Sequence, residues 1–122
     1  MASAQEHKLK ALHNEEFLSV YRLSDGEFVD WAVTALFYSA LHWMRALAAQ
    51  EGLQIKGYRD EKDVLKGTGV FTDEAYEWYR QLKEDSRVAR YKMRQFSESD
   101  FADLRRDFFD PFRAFIISML RV

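Results

Sequence analysis

Apolar residues recur at three- and four-residue steps along most of the chain, the period of helices that bury one face. Over about residues 3–22 these steps fall on Leu9, Leu12, Phe17, Val20 and Leu23, which predicts a first helix packing that stripe inward. Ser24-Asp25-Gly26-Glu27 then has the Ser-x-x-Glu form of a capping box, the start of a second helix. That helix runs to about Glu51 and stops at Gly52, a common residue just past a helix end. Its interior from Phe28 to Leu41 is apolar nearly all round, so it needs cover on several sides, at a bundle centre or a subunit interface.

Residues 52–71 hold four of the five glycines and read as a loop, with Tyr58 to Lys66 forming a short polar helix inside it. Thr72 is a suitable cap for a third main helix reaching about Ser86, with Ala75, Tyr76, Trp78, Tyr79 and Leu82 as its buried stripe. Arg87 to Phe96 reads as a connector. Ser97 or Ser99 caps a last helix with Phe101, Leu104, Phe108, Phe112, Phe115, Ile116 and Met119 in helical phase. Pro111 lies inside that pattern and is expected to kink or break it near Phe109–Asp110. The reading is one all-α domain over residues 1–122, an up-and-down bundle of four to five helices. The second and last helices lie at its centre, with Trp31, Leu36, Phe37, Ala40, Leu41, Met44, Phe108, Phe112 and Phe115 buried.

Composition narrows this further. In 122 residues, 48% are hydrophobic and 31% charged, which excludes disorder, and one proline with five glycines is too few for a many-stranded sandwich. Lys+Arg is 18 against Asp+Glu 20, a net charge of −2, so no positive field surrounds the whole molecule. There is no cysteine, which excludes thiolate catalysis and Cys-based zinc. The three histidines, His7, His13 and His42, show no metal-protease spacing, so neither a metal nor another cofactor is expected. The longest stretch without formal charge, Trp31 to Met44, is shorter than the roughly 20 residues a bilayer span needs. Charges among the first twenty residues interrupt any secretory signal, so the expected location is cytoplasmic. Ten Phe, six Tyr and three Trp exceed what one small core needs, which predicts a homodimer that buries some of them.

Two groupings carry chemistry. Tyr38, His42 and Arg45 share one face of the apolar second helix, where phenol, imidazole and guanidinium could hold a phosphate or move a proton. The alternative is a tyrosine and histidine satisfied within the core, with Arg45 reaching solvent. The segment from Arg80 to Arg94 has six basic residues against two acidic ones. Within it Arg87, Arg90 and Arg94, interleaved with Tyr91, suit phosphates and a stacked base. Alternatively those arginines pair with Glu15, Glu16, Asp25 or Asp30 as structural ion pairs. Gly67-Thr68-Gly69 lacks the strand and lysine of a phosphate loop, and no nucleophile–histidine–acid grouping is assignable. Asp100, Asp103, Asp107 and Asp110 read as a solvated face, because the histidines of a bundle metal site are missing.

The run from Asp30 through Tyr38 to His42 resembles the second-helix signature of HEPN (higher eukaryotes and prokaryotes nucleotide-binding) domains, with its small–aromatic alternation ending in Tyr-x-Ala-x-His or a close variant. Tyr79 to Leu82 followed by Ser86 to Tyr91 is similar to the family segment in which an arginine precedes an Ala-Asp-Tyr-like triplet. The resemblance spans about residues 24–120. It implies an all-α bundle, commonly dimeric, acting on or binding RNA or nucleotides, often in toxin–antitoxin and other defence systems. Catalytic members carry an arginine followed four to six residues later by a histidine. Here no histidine follows position 42, so Arg87 has no imidazole partner for activating a 2′-hydroxyl. The expectation is a non-catalytic RNA- or nucleotide-binding or protein-interaction module. The alternative is a divergent metal-independent ribonuclease that recruits His42.

Overall fold

The computed structural model describes residues 2–20, 28–92 and 94–122. They form α1 Ala4–Val20, α2 Val29–Gln50, α3 Tyr58–Gly67, α4 Asp73–Tyr91, α5 Glu98–Leu104 and α6 Asp110–Met119, with a π-helical turn Arg105–Phe109 joining α5 to α6. The described residues contain no strand. Since α5, the π turn and α6 make one continuous rod, the architecture is an all-α bundle of four long rods and the short α3.

Cross-helix pairs give the directions. His7 meets His42 while Glu15 meets Ser39, so α1 and α2 run antiparallel. Tyr38 meets Arg90 on α4, and Arg45 shares a cavity with Lys83, so α2 and α4 are antiparallel too. On α6, Arg113 lies over Trp43 and Gln50 reaches the carbonyl of Met119, which sets α6 parallel to α2. This alternation is that of an up-and-down bundle.

Several ends follow their sequence signals. Thr72 accepts a hydrogen bond from the amide of Ala75, and Ser97 and Asp100 form a reciprocal capping box. Gly52, at φ 72, closes α2: its amide donates to Ala49 and the next amide, Leu53, to Ala48. That is the paired-bond ending that favours glycine. The expected capping box at Ser24–Glu27, together with Leu23, lies outside the described residues.

Core packing matches the central role of α2. Leu36, Phe37, Ala40, Trp43, Met44 and Leu47 are buried, as are Tyr79 and Leu82 of α4 and Phe112 and Ile116 of α6. Four expectations need correction. On α1 the expected stripe is inverted: Leu9, Leu12, Phe17 and Val20 are exposed, while Ala11 and Leu18 face the core. Small Ala11 lets the two helices approach until the Ser39 hydroxyl donates to its carbonyl at 3.0 Å, and Glu15 turns inward with it. Trp31, expected in the core, is 58% exposed at the α1–α2 surface. Helix α4 does not stop near Ser86 but continues to Tyr91, so most of the expected connector is helical.

The fourth correction concerns Pro111, which does not break the last rod: the irregularity expected near Phe109–Asp110 is a π turn over Arg105–Phe109. The π turn before it bonds the Asp110 amide to the Arg105 carbonyl, a wider loop that accommodates a residue with no N–H to offer. The extra residue moves the buried position from Phe108 to Phe109, while Phe112 and Ile116, both in the expected helical phase, are fully buried; Phe108 and Phe115, expected inside, are only partly covered, as is Leu41 on α2.

Candidate functional site

Extension of α4 through Tyr91 makes its basic residues one stripe, because positions 80, 83, 87 and 90 follow the three- and four-residue steps of a helix face. Arg80, Lys83, Glu84, Arg87, Arg90, Tyr91 and Lys92 line a surface groove of about 460 Å³. Two of its cations hold local carboxylates, Arg80 with Glu77 at 3.0 Å and Arg87 with Glu84 at 2.6 Å. The hydrogen bond from Arg87 holds the Glu84 carboxyl below its usual range. Such pairs are exposed to water and screened by it, so a phosphate can replace the carboxylate at little cost. Tyr91 is 73% exposed, with the Arg90 guanidinium 5.2 Å from its ring centre. Arg94, just past the helix, sits over Phe96 and reaches Asp100 only at 4.0 Å.

Behind this groove lies a second, smaller cavity of about 190 Å³, and the two share Lys83 and Arg90. Phe37, Tyr38, Leu41 and Arg45 of α2 form one wall, and Gly57 and Glu61 of the α3 region another. Glu61 is buried and paired with Lys83 at 2.8 Å, so that charge is balanced inside the wall. Arg90 donates from Nη1 to the Tyr38 hydroxyl at 3.0 Å and from Nε to the Ser86 carbonyl at 3.2 Å, both neutral acceptors. Arg45 Nε is buried and has no hydrogen-bond partner among the described residues. A buried donor left in this state costs roughly 1–3 kcal/mol, the sort of deficit an anionic ligand removes.

The two groupings read from the sequence are therefore regrouped. Tyr38 and Arg45 of the α2 stripe converge with Arg90 of α4 on one cavity. His42, the third member of the stripe, turns the other way. Its Nδ1 lies 3.1 Å from Nδ1 of His7, the rings stack at 5.3 Å, and it lines an apolar groove with Phe17, Trp31 and Tyr38. Burial, then the charges of His7, Arg45 and Lys10, push the His42 imidazole down to about 4, and burial also lowers His7, so both rings are neutral at pH 7. Of the arginines weighed as partners of Glu15, Arg87 pairs with Glu84 and Arg94 approaches Asp100, while Arg90 meets only neutral acceptors; Arg113 of α6 holds the Glu15 carboxylate, Nε lying 3.0 Å from each oxygen. Lys83 and Glu61 are site residues that the sequence reading passed over. The i, i+3 relation of Lys83 to Arg80 was legible, but nothing in the sequence marked Glu61 as the residue from α3 that meets it.

Among the described residues no cluster of three or more His, Asp or Glu could hold a metal, and no helix is long and apolar enough to cross a membrane. Comparisons with protein-family models, with curated proteins and with solved structures find no match.

Proposed function

We propose that the chain is a non-catalytic, HEPN-like helical module that binds RNA or nucleotides along α4, of the kind that serves toxin–antitoxin and other defence systems. The observation that carries this reading is the basic stripe of Arg80, Lys83, Arg87 and Arg90 on one rigid helix, opening on a groove beside exposed Tyr91 in a protein that is acidic overall. Guanidinium groups suit phosphates, and an exposed phenol ring offers a face for a base. The test is fluorescence anisotropy with a single-stranded RNA over a range of salt. Affinity falls as salt rises, and joint replacement of Arg87, Arg90 and Arg94 by Ala weakens binding at least tenfold. It also lowers the salt slope by about 2, since each single-strand phosphate contact contributes roughly 0.7. Absence of binding at low salt overturns the reading.

The ribonuclease alternative depends on His42, which faces His7 and the apolar groove instead of the cationic cavity. RNA incubated with the protein and a chelator is expected to stay intact, and His42→Ala to leave RNA binding unchanged. A self-association role has its own support in Phe17, Trp31 and Tyr38, which line an apolar groove of about 450 Å³ between α1 and α2. A homodimer closing this groove gives twice the protomer mass in sedimentation velocity, and Trp31→Lys returns it to a monomer.

A further inference from the structure

We propose that the inner cavity bounded by Tyr38, Arg45, Gly57 and Arg90 is a receptor for a terminal phosphate monoester, the 5′-phosphate end of a strand whose internal phosphates lie along α4. The inference rests on the RNA-binding reading above and adds an end-recognition site to it.

Size is the first argument. At about 190 Å³ the cavity is smaller than the roughly 300–1,000 Å³ of pockets that enclose whole small molecules, whereas the outer groove of about 460 Å³ falls within that range. A phosphate group fits the former, and a nucleotide or strand segment the latter. The two spaces meet at Lys83 and Arg90, so a chain lying in the groove can place one end inward.

Charge is the second. Lys83 and Glu61 balance one another at 2.8 Å, which leaves Arg45 and Arg90, neither paired with a carboxylate among the described residues. Two uncompensated guanidiniums match a monoester, whose charge at neutral pH is about −1.5 to −2, better than a diester with a single negative charge. Hydrogen bonding points the same way. The Tyr38 hydroxyl already accepts from Arg90, which leaves its proton to donate, and Arg45 Nε is a buried donor with no acceptor. Gly57, the N-cap of α3, supplies no side-chain acceptor to that helix's first turn and lines the same cavity, with open space where a side chain would be. The N-terminus of α3 borders the cavity here with its dipole offset by the first-turn carboxylates Asp60 and Glu61, so the two arginines carry the charge argument.

The experiment compares one short single-stranded RNA in two forms, 5′-phosphate and 5′-hydroxyl, by anisotropy at fixed salt, with inorganic phosphate as competitor. The 5′-phosphate form is expected to bind about tenfold more tightly, the worth of one or two charge-assisted hydrogen bonds. Millimolar inorganic phosphate should erase that advantage without displacing the 5′-hydroxyl strand. Arg45→Met, which keeps the stem and removes the charge, should equalise the two strands by weakening only the phosphorylated one, and Tyr38→Phe should do so in part. Equal affinity of the two strands in the wild-type protein overturns the end-site while leaving binding along α4 intact. A preference that survives Arg45→Met overturns it as well, because the end phosphate then sits elsewhere. Binding of neither strand overturns both readings.

Discussion

Glu15 holds two donors at once, Trp43 Nε1 at 2.6 Å and Arg113 Nε at 3.0 Å, with the Ser39 hydroxyl, whose proton goes to the Ala11 carbonyl, 3.4 Å away. It joins α1, α2 and α6 through one carboxylate, with Arg113 also lying over the Trp43 ring at 5.3 Å. Glu15→Ala strands a partly buried guanidinium and an indole N–H, and is expected to cost about 2–4 kcal/mol in urea denaturation. Glu16→Ala, one position along on the exposed face, should change stability by less than about 0.5 kcal/mol. Nothing in the local sequence separates these two glutamates; only the closeness of α1 to α2 at Ala11 decides which one turns inward. The same contact brings His7 to His42. The His42 imidazole titrates near 4 when folded and near 6.5 when free, so the unfolded chain takes up the proton first as pH falls. The His42 contribution to stability is therefore constant above about 6.5 and declines from there toward 4, by roughly 1–2 kcal/mol once solvent screening of this half-buried ring is allowed for. Midpoints of thermal melts taken across that range should show the decline, and His42→Leu should remove most of it.

Element ends were the most legible features, since Thr72, Ser97 and Gly52 each act through short-range hydrogen bonds that a few residues specify. The extent of α4 follows from equally local signals, since no glycine or proline stands between Ser86 and Tyr91 and the Glu84–Arg87 pair supports the helix; the density of basic residues there drew the expectation of a connector instead. The last rod was misread for a different reason. The expected core takes Phe108 and Phe115, whereas the π turn ahead of Pro111 moves the first of these positions to Phe109 and, of the pair Phe115 and Ile116 in helical phase, Ile116 is the one fully buried. The shift gives a sharp comparison: Phe109→Ala should cost about 3–5 kcal/mol and Phe108→Ala no more than half as much, read from urea midpoints. Equal costs for the two would place the turn elsewhere.

Across the molecule, two different surfaces flank α2. Arg45 and Arg90, neither paired with a carboxylate among the described residues, meet between α2 and α4, while exposed Phe17 and Trp31 line a groove between α1 and α2, with Tyr38 on the border of both. The bundle architecture was legible from periodicity, but this division was not, since it depends on which way α1 rolls and on how far α4 extends. A helix that carries its cations on a fixed frame has a thermodynamic consequence. An arginine-rich loop would have to give up backbone freedom whenever it met a ligand, and α4 has already given it up in folding. Engagement of a polyanion should accordingly leave the far-ultraviolet circular dichroism unchanged and proceed with little change in heat capacity, as when a key meets a rigid lock and no new chain is ordered.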